Sequence, residues 1–204
     1  MGIAGKKEIV GQIGSYSSSW LLSQAITFVA SLLTRRFLGP VQTGVWSLLQ
    51  VALSYSKFST FGVGRAALRE IPYYMGQGRA DKAEEIKDTI FTFGFLTALI
   101  ISIGLILYAF MARDHLRPDV FAGLFFLASL IILNRVNNII IVFLRAYKRF
   151  SLAGKQMMFS SVVNAVFIAV LSFRYQIYGF MIAMALSLLF SIVYMIWHFP
   201  IRFH

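Results

Sequence analysis

The stretch VFAGLFFLASLIILNRVNNIIIVFLR, Val120 to Arg145, decides the fold class. An α-helix needs about 20 mostly apolar residues to cross the hydrocarbon core of a bilayer, and this run is long enough. Arg135 stands inside it, with asparagines at 134, 137 and 138. A cation near the centre of a spanning helix costs at least about 3 kcal/mol on insertion scales, so such a residue faces a bundle interior or a wet cavity rather than lipid.

Outward from this run, the rest of the chain has the same character. The 204 residues are 58% hydrophobic and 13% charged, which marks a polytopic membrane protein. Mean hydropathy is +0.74. Six apolar blocks are expected to span, at about 17–38, 42–64, 89–111, 120–145, 151–173 and 177–198, so residues 1–204 read as a single membrane lobe. No cleavable signal is expected, because Lys6 and Lys7 lead into Gly- and Ser-containing sequence without a small-residue cleavage site. With no cysteine, disulfides and thiolate chemistry are excluded. The net charge of +11 does not point to nucleic acid, since the cations sit at the ends of the apolar blocks.

An inward N-terminus places twelve of the 19 lysines and arginines on the cytoplasmic side and five outside, with Lys57 and Arg135 within spans. That bias predicts six helices with both termini inside. The sizeable cytoplasmic loop then runs over residues 65–88. Its second half is expected to form a short interfacial helix, capped by Asp81 with Glu84 three residues on. Gly39-Pro40 predicts a tight outer turn between the first two spans. Tyr16, Trp20, Trp46, Tyr108, Tyr178, Tyr194 and Trp197 fit an interfacial aromatic belt.

At 100° per residue, polar side chains line up on four of the apolar helices. Ser17, Gln24, Ser31 and Arg35 share one face, and Trp46, Gln50, Ser54 and Lys57 another. Asn134, Asn138 and Arg145 form a third stripe flanked by Arg135 and Asn137, and Ser160, Ser161 and Asn164 a fourth. Such stripes need water or partner helices. The serines are explained as interhelical hydrogen bonds worth about 1 kcal/mol. Arg35 and Arg36 can snorkel to the interface, and Arg145 suits a helix C-terminus. Arg135 and Lys57 are harder to explain away. All eight acidic residues lie in loops or flanks, so no carboxylate within a span is there to pair with either cation. A buried cation without a carboxylate calls for an anionic ligand, a backbone carbonyl or water.

Enzyme signals are thin. His115 and Asp119 have an H-x3-D spacing in a short outer loop, His198 and His204 are near the end, and no nucleophile triad, metal cluster or phosphate-cradling loop is present. No catalytic residue, metal or cofactor is expected.

The run Arg35-Arg-Phe-Leu-Gly-Pro-Val-Gln-Thr-Gly-Val-Trp-Ser-Leu-Leu-Gln-Val continues to Ser54-Tyr-Ser, Gly62-Val-Gly, Arg69-Glu-Ile-Pro and Gly76-Gln-Gly-Arg-Ala-Asp-Lys-Ala-Glu. This resembles the N-terminal part of bacterial polysaccharide and O-antigen flippases, of the multidrug/oligosaccharidyl-lipid/polysaccharide exporter superfamily. The resemblance is concentrated in residues 20–90. It implies one six-helix lobe of a two-lobe carrier in the bacterial inner membrane, moving a polyprenyl-pyrophosphate-linked oligosaccharide outward for cell-surface polysaccharide synthesis. It implies substrate contact by the cavity cations, for which Arg135, Lys57 and Arg35 are the candidates here, with Asn134, Asn138, Gln24, Gln50 and Asn164 as hydrogen-bonding amides. The partners implied are membrane lipids, a second lobe or second copy, and polysaccharide polymerase or assembly proteins. The alternatives are a drug or organic-cation exporter of the same superfamily, and a non-transporting membrane scaffold whose stripes only bind neighbouring helices.

Overall fold

The computed structural model describes residues 3–60 and 62–198, the side chains of 3–10, 12 and 13 excepted. Lys6, Lys7, Arg202 and His204, which enter the charge count or the histidine survey, lie outside the described side chains. Apart from short turns, the described backbone is helical. Helix α1 covers Ile3–Phe58, α2 Val63–Gly76, α3 Ala80–Met111, α4 Pro118–Ala146, α5 Phe150–Phe167 and α6 Phe173–His198, with a π-helical turn at Ile168–Ser172 joining the last two. Three continuous runs, Ala80–Met111, Pro118–Ala146 and Phe150–His198, are long and apolar enough to cross a membrane.

The six apolar blocks are therefore not six separate helices, because two of the expected breaks occur inside continuous hydrogen-bonded runs. Each of those runs contains one non-helical residue, Gly39 at φ 68°, ψ 178° and Gln176 at φ 50°, ψ −127°. Side-chain contacts show that the chain reverses at both. Tyr16 of α1 meets Phe150 and Arg145, and Ser56 of α1 and Ser59 just beyond it meet Arg135, all toward one end of the bundle. Phe37 and Gln42, close to Gly39, meet Phe173 and Gln176 at the other end. Beyond Gln176, Ser187 meets Asn164, Ser191 meets Gln156 and Tyr194 stacks on Phe159, pairs that straddle the break. Both reversals are hairpins.

Gly39 has a positive φ and open space around its missing side chain. With ψ at 178° this is the extended positive-φ region that is essentially confined to glycine, and it costs a residue with a Cβ about 1–3 kcal/mol, Asn included. Gly39→Ala and Gly39→Asn are accordingly both expected to lower the thermal midpoint by a few degrees, measured on the detergent-purified chain.

The second difference is at residues 65–88. The segment read as a loop contains α2, which buries Ala67 and Ile71 against α3 and α4, and the opening turns of α3. No capping box forms. Helix α3 begins at Ala80, so Asp81 is already in its first turn, where its charge suits the positive helix end. Glu84 instead lies 3.7 Å from the buried ammonium of Lys87. Helices α2 and α4 both close on a left-handed residue, Gly78 and Lys148, whose followers Arg79 and Arg149 return their N–H groups to Tyr74 and Leu144 at 3.0 and 2.8 Å.

The main core brings Leu38, Val45, Leu49 and Leu53 of α1 against Leu124, Leu127 and Ile131 of α4, with Ile177, Phe180 and Met181 of α6 behind. Small residues set the close approaches. A Cβ on Gly123 would fall 2.6 Å from Leu49 Cδ1, and one on Gly154 would fall 3.1 Å from Ser19. Such glycines let helix axes draw together where the membrane itself supplies no hydrophobic drive.

Candidate functional site

Arg135 is 6% exposed and reaches from α4 toward the C-terminal end of α1. Its Nη2 donates to the carbonyl of Ser56 at 2.9 Å and to Ser59 Oγ at 2.6 Å. The last turn of α1 exposes carbonyls that lack helical partners, which is where a cation is favoured. Nε and Nη1 have no hydrogen-bond partner among the described residues. Gly94 of α3 leaves room for Ile139, since a Cβ there would sit 2.6 Å from Ile139 Cδ1, while Arg135 Cδ would remain at an ordinary contact distance of 3.8 Å.

Arg135 borders a cavity of about 430 Å³ between α1, α2, α3 and α4. Lys57, Asn134, Arg135 and Asn138 of the expected site residues all line it. Arg65, from the first turn of α2, joins them. The remaining lining is largely aliphatic, and it includes no carboxylate. Lys57 and Arg65 are exposed and make no ion pair among the described residues, so three cations share one opening without a counter-charge. Asn134 is half-buried and donates to Leu130 O at 2.9 Å, while Asn138 is exposed.

The other candidates lie elsewhere. Gln24 and Arg35 are exposed on the first arm of α1, in line with the exposed Ser17 and Ser31. Gln50 lies with Ser47, Ser54 and Tyr55 along a shallow groove on the second arm. Ser17, Gln24, Ser31, Arg35, Gln50 and Ser54 thus lie on the surface of the bundle, whereas Trp46 of the second stripe packs on Phe180 and Lys57 lines the cavity. Asn164 is inside it, accepting from Ser187 Oγ at 3.2 Å. Arg145 is held by Tyr16, donating to the phenol oxygen with its guanidinium 5.2 Å from the ring centre, which ties α4 to α1. Beside it Tyr147, past the end of α4, has its phenol pKa raised by burial first and then by Glu84 and Asp88.

Asn137 anchors a network that residue spacing did not reveal. Gln156, fully buried, donates from Nε2 to Asn137 Oδ1 at 3.0 Å and to Ser191 Oγ at 2.6 Å. Ser191 Oγ also donates to Asn137 Oδ1 at 3.0 Å. Only Asn137 was visible as a polar residue flanking a stripe; a single glutamine following Lys155 carries no such signal. Asn137→Leu removes the acceptor shared by Gln156 Nε2 and Ser191 Oγ, leaving one buried donor hydrogen without a partner on each, and is expected to cost about 2 kcal/mol of stability. Gln156→Leu also removes the unpartnered Gln156 Oε1, leaves Ser191 bonded to Asn137, and is expected to cost clearly less. Unfolding midpoints of the two variants in detergent check the ordering.

No family model matches the sequence, and no curated protein matches it. Solved structures do match in fold. One is described as a MOP superfamily transporter from Pyrococcus furiosus whose reverse polarity of binding pocket suggests a different function; at 15% identity and a TM-score of 0.70 it is matched over 92% of this chain and 44% of its own. A second is the outward-facing conformation of a multidrug resistance MATE family transporter of the MOP superfamily, at 16% identity and TM-score 0.69 over 92% and 44%. A third, a point mutant of a MATE protein, has 16% identity and TM-score 0.71 over 92% and 45%. The chain spans less than half the length of these proteins. It is a multi-pass, all-helical membrane protein, and over nearly its whole length it has the fold found in part of a MOP superfamily transporter.

Proposed function

We propose that the chain is the N-terminal lobe of a flippase that carries a polyprenyl-pyrophosphate-linked oligosaccharide across a bacterial inner membrane. The observation that carries this reading is the cavity with Arg135, Lys57 and Arg65 and no carboxylate in its lining. Cations gathered in a low-dielectric opening raise the local concentration of an anion and repel another cation. The helical arms on either side of Gly39 and of Gln176, with α3 and α4, make six crossings with both ends cytoplasmic, the arrangement the lysine and arginine bias favours. The exposed stripes of α1, with Gln24 and Gln50, face a second lobe or a second copy across the translocation path and offer hydrogen bonds to sugar hydroxyls. Rocking of one lobe against the other alternates access, and no covalent step is involved.

A multidrug exporter is the competing reading, because one matching structure is described as a multidrug resistance transporter. Pocket polarity discriminates. For the P. furiosus protein, reversed polarity of the pocket is itself described as suggesting a different function. An organic cation finds no counter-charge among the residues lining this cavity.

Native mass spectrometry of the detergent-released protein, titrated with a polyprenyl-pyrophosphate oligosaccharide and separately with a cationic dye, tests the reading. The anionic lipid is expected to bind, and Arg135→Gln to weaken it. Binding of the dye alone transfers the assignment to drug export, and binding of neither favours a scaffold.

A further inference from the structure

The cavity is graded from mouth to floor. Lys57, Arg65 and Leu68 are exposed at its rim, while Leu53, Ile90, Gly94, Ile131 and Arg135 are buried at its base. A hydrated sugar does not match such walls, since its hydroxyls lose water without finding partners. A phosphate alone matches the cations but leaves the aliphatic lining unused. A phosphate carrying a hydrocarbon chain uses both, and membrane lipids have that chemistry.

Helix α2 shapes the rim. Gly62, in the left-handed conformation, starts it, and its carbonyl accepts from the N–H groups of Arg65 and Ala66 at 2.8 and 3.2 Å. Its first turn, residues 62–65, therefore borders the opening, bringing a positive helix end and the Arg65 guanidinium to the side facing Lys57. The middle of α2 is fixed by Ala67 and Ile71, buried against Ala83, Ile90 and Phe143. The position of Arg65 is thus set by packing as well as by the flexibility of its side chain. Arg135, almost wholly buried, contributes the Nε and Nη1 donors left over from its bonds to Ser56 and Ser59.

We infer that this cavity is a lipid-phosphate site contained within the lobe, in which Arg65, Lys57 and Arg135 hold the phosphate and the aliphatic walls take the first segment of the chain. The inference deepens the flippase reading and rests on it, assigning the phosphate of the substrate to the α1–α2–α3–α4 cavity and leaving the sugars to the exposed stripes of α1. Arg65 becomes a binding residue, and α2 a structural part of the site.

The test uses the purified chain in detergent with three sugar-free probes: a polyprenyl pyrophosphate, dioleoyl phosphatidic acid and inorganic pyrophosphate. Polyprenyl pyrophosphate is expected to bind, and Arg65→Gln to weaken it about tenfold, the loss of one charge-assisted contact. Arg65 is exposed, so the variant is expected to keep the wild-type melting curve, and Arg65→Lys to restore part of the affinity. A diazirine near the head of the lipid is expected to label peptides from residues 62–76 and 90–94. Equal binding of inorganic pyrophosphate and the polyprenyl lipid overturns the role of the aliphatic walls. Equal binding of phosphatidic acid keeps a lipid-phosphate site but removes its assignment to the substrate. Unchanged affinity in Arg65→Gln, with affinity lost in Arg135→Gln, overturns the part assigned to α2 and leaves the flippase reading standing. Failure of the sugar-bearing lipid to bind, with the sugar-free lipid retained, overturns the flippase reading instead.

Discussion

Gly179→Ala is expected to cost about 3 kcal/mol or more and to reduce sharply the yield of monodisperse protein. The added Cβ would overlap the carbonyl oxygen of Leu171 and lie 2.5 Å from its carbon, with Tyr175 Cβ at 3.0 Å. Two of these atoms are backbone, so no rotamer change relieves the clash. Overpacking against side chains typically costs about 1–3 kcal/mol, and here the arms of the hairpin themselves must separate. They meet in the π-helical turn Ile168–Ser172, just before the reversal at Gln176. Gly123→Ala is the comparison. It meets only the ends of the Leu49 and Met181 side chains, at 2.6 and 3.3 Å, and is expected to cost less because both can shift. Size-exclusion profiles and thermal unfolding of the two variants, measured together, check the order. Equal stability of Gly179→Ala and wild type would show that the hairpin does not close this tightly.

The second large effect falls on binding rather than folding. Arg135→Leu removes the donors directed at Ser56 O and Ser59 Oγ, yet the Ser56 carbonyl keeps a hydrogen bond from Ser59 Oγ at 2.7 Å. The new side chain lies beside Ile131 and Ile139, which line the same cavity. Losing a buried charge and its hydrogen bonds while gaining apolar burial is close to neutral in many proteins. The melting midpoint should therefore move little. Binding of a pyrophosphate lipid is expected to fall about 30-fold, the equivalent of roughly 2 kcal/mol from a charge-assisted contact in a cavity partly shielded from water. A scaffold predicts no lipid binding to lose and an unchanged melting midpoint. A purely structural arginine predicts loss of stability with no separate loss of binding.

Helix content and membrane character were legible because apolar runs of this length have few other solutions in a protein. The reversal at Gly39 was legible because Gly-Pro punctuates a helix by covalent geometry alone. The reversal at Gln176 shows where such reasoning stops. Glutamine has no intrinsic preference for φ 50°, and it is held there in part by Gln42, 134 positions earlier. Helix α2 was hidden for a related reason: Pro72, two arginines and flanking glycines resemble a loop until Ala67 and Ile71 find α3 and α4. At the site, Arg135, Lys57, Asn134 and Asn138 could be singled out from depth and helical spacing. Their convergence could not, and Arg65 was counted only as a topology charge, because its place in the cavity depends on α2 being helical.

Gln42 has a consequence beyond local bonding. Its Nε2 donates to Gln176 Oε1 at 2.5 Å, and its Oε1 accepts from the N–H of Ile177 at 3.1 Å. One side chain thereby rivets the two chain reversals to each other, at the end of the bundle opposite Lys57. A rivet is also a pivot. Fifteen residues of helix separate Gln42 from Lys57, a lever of roughly 23 Å at the helical rise, so a swing of about 5° moves the far end about 2 Å and the riveted end hardly at all. Leverage of that kind concentrates displacement where the arginines and the lysine gather.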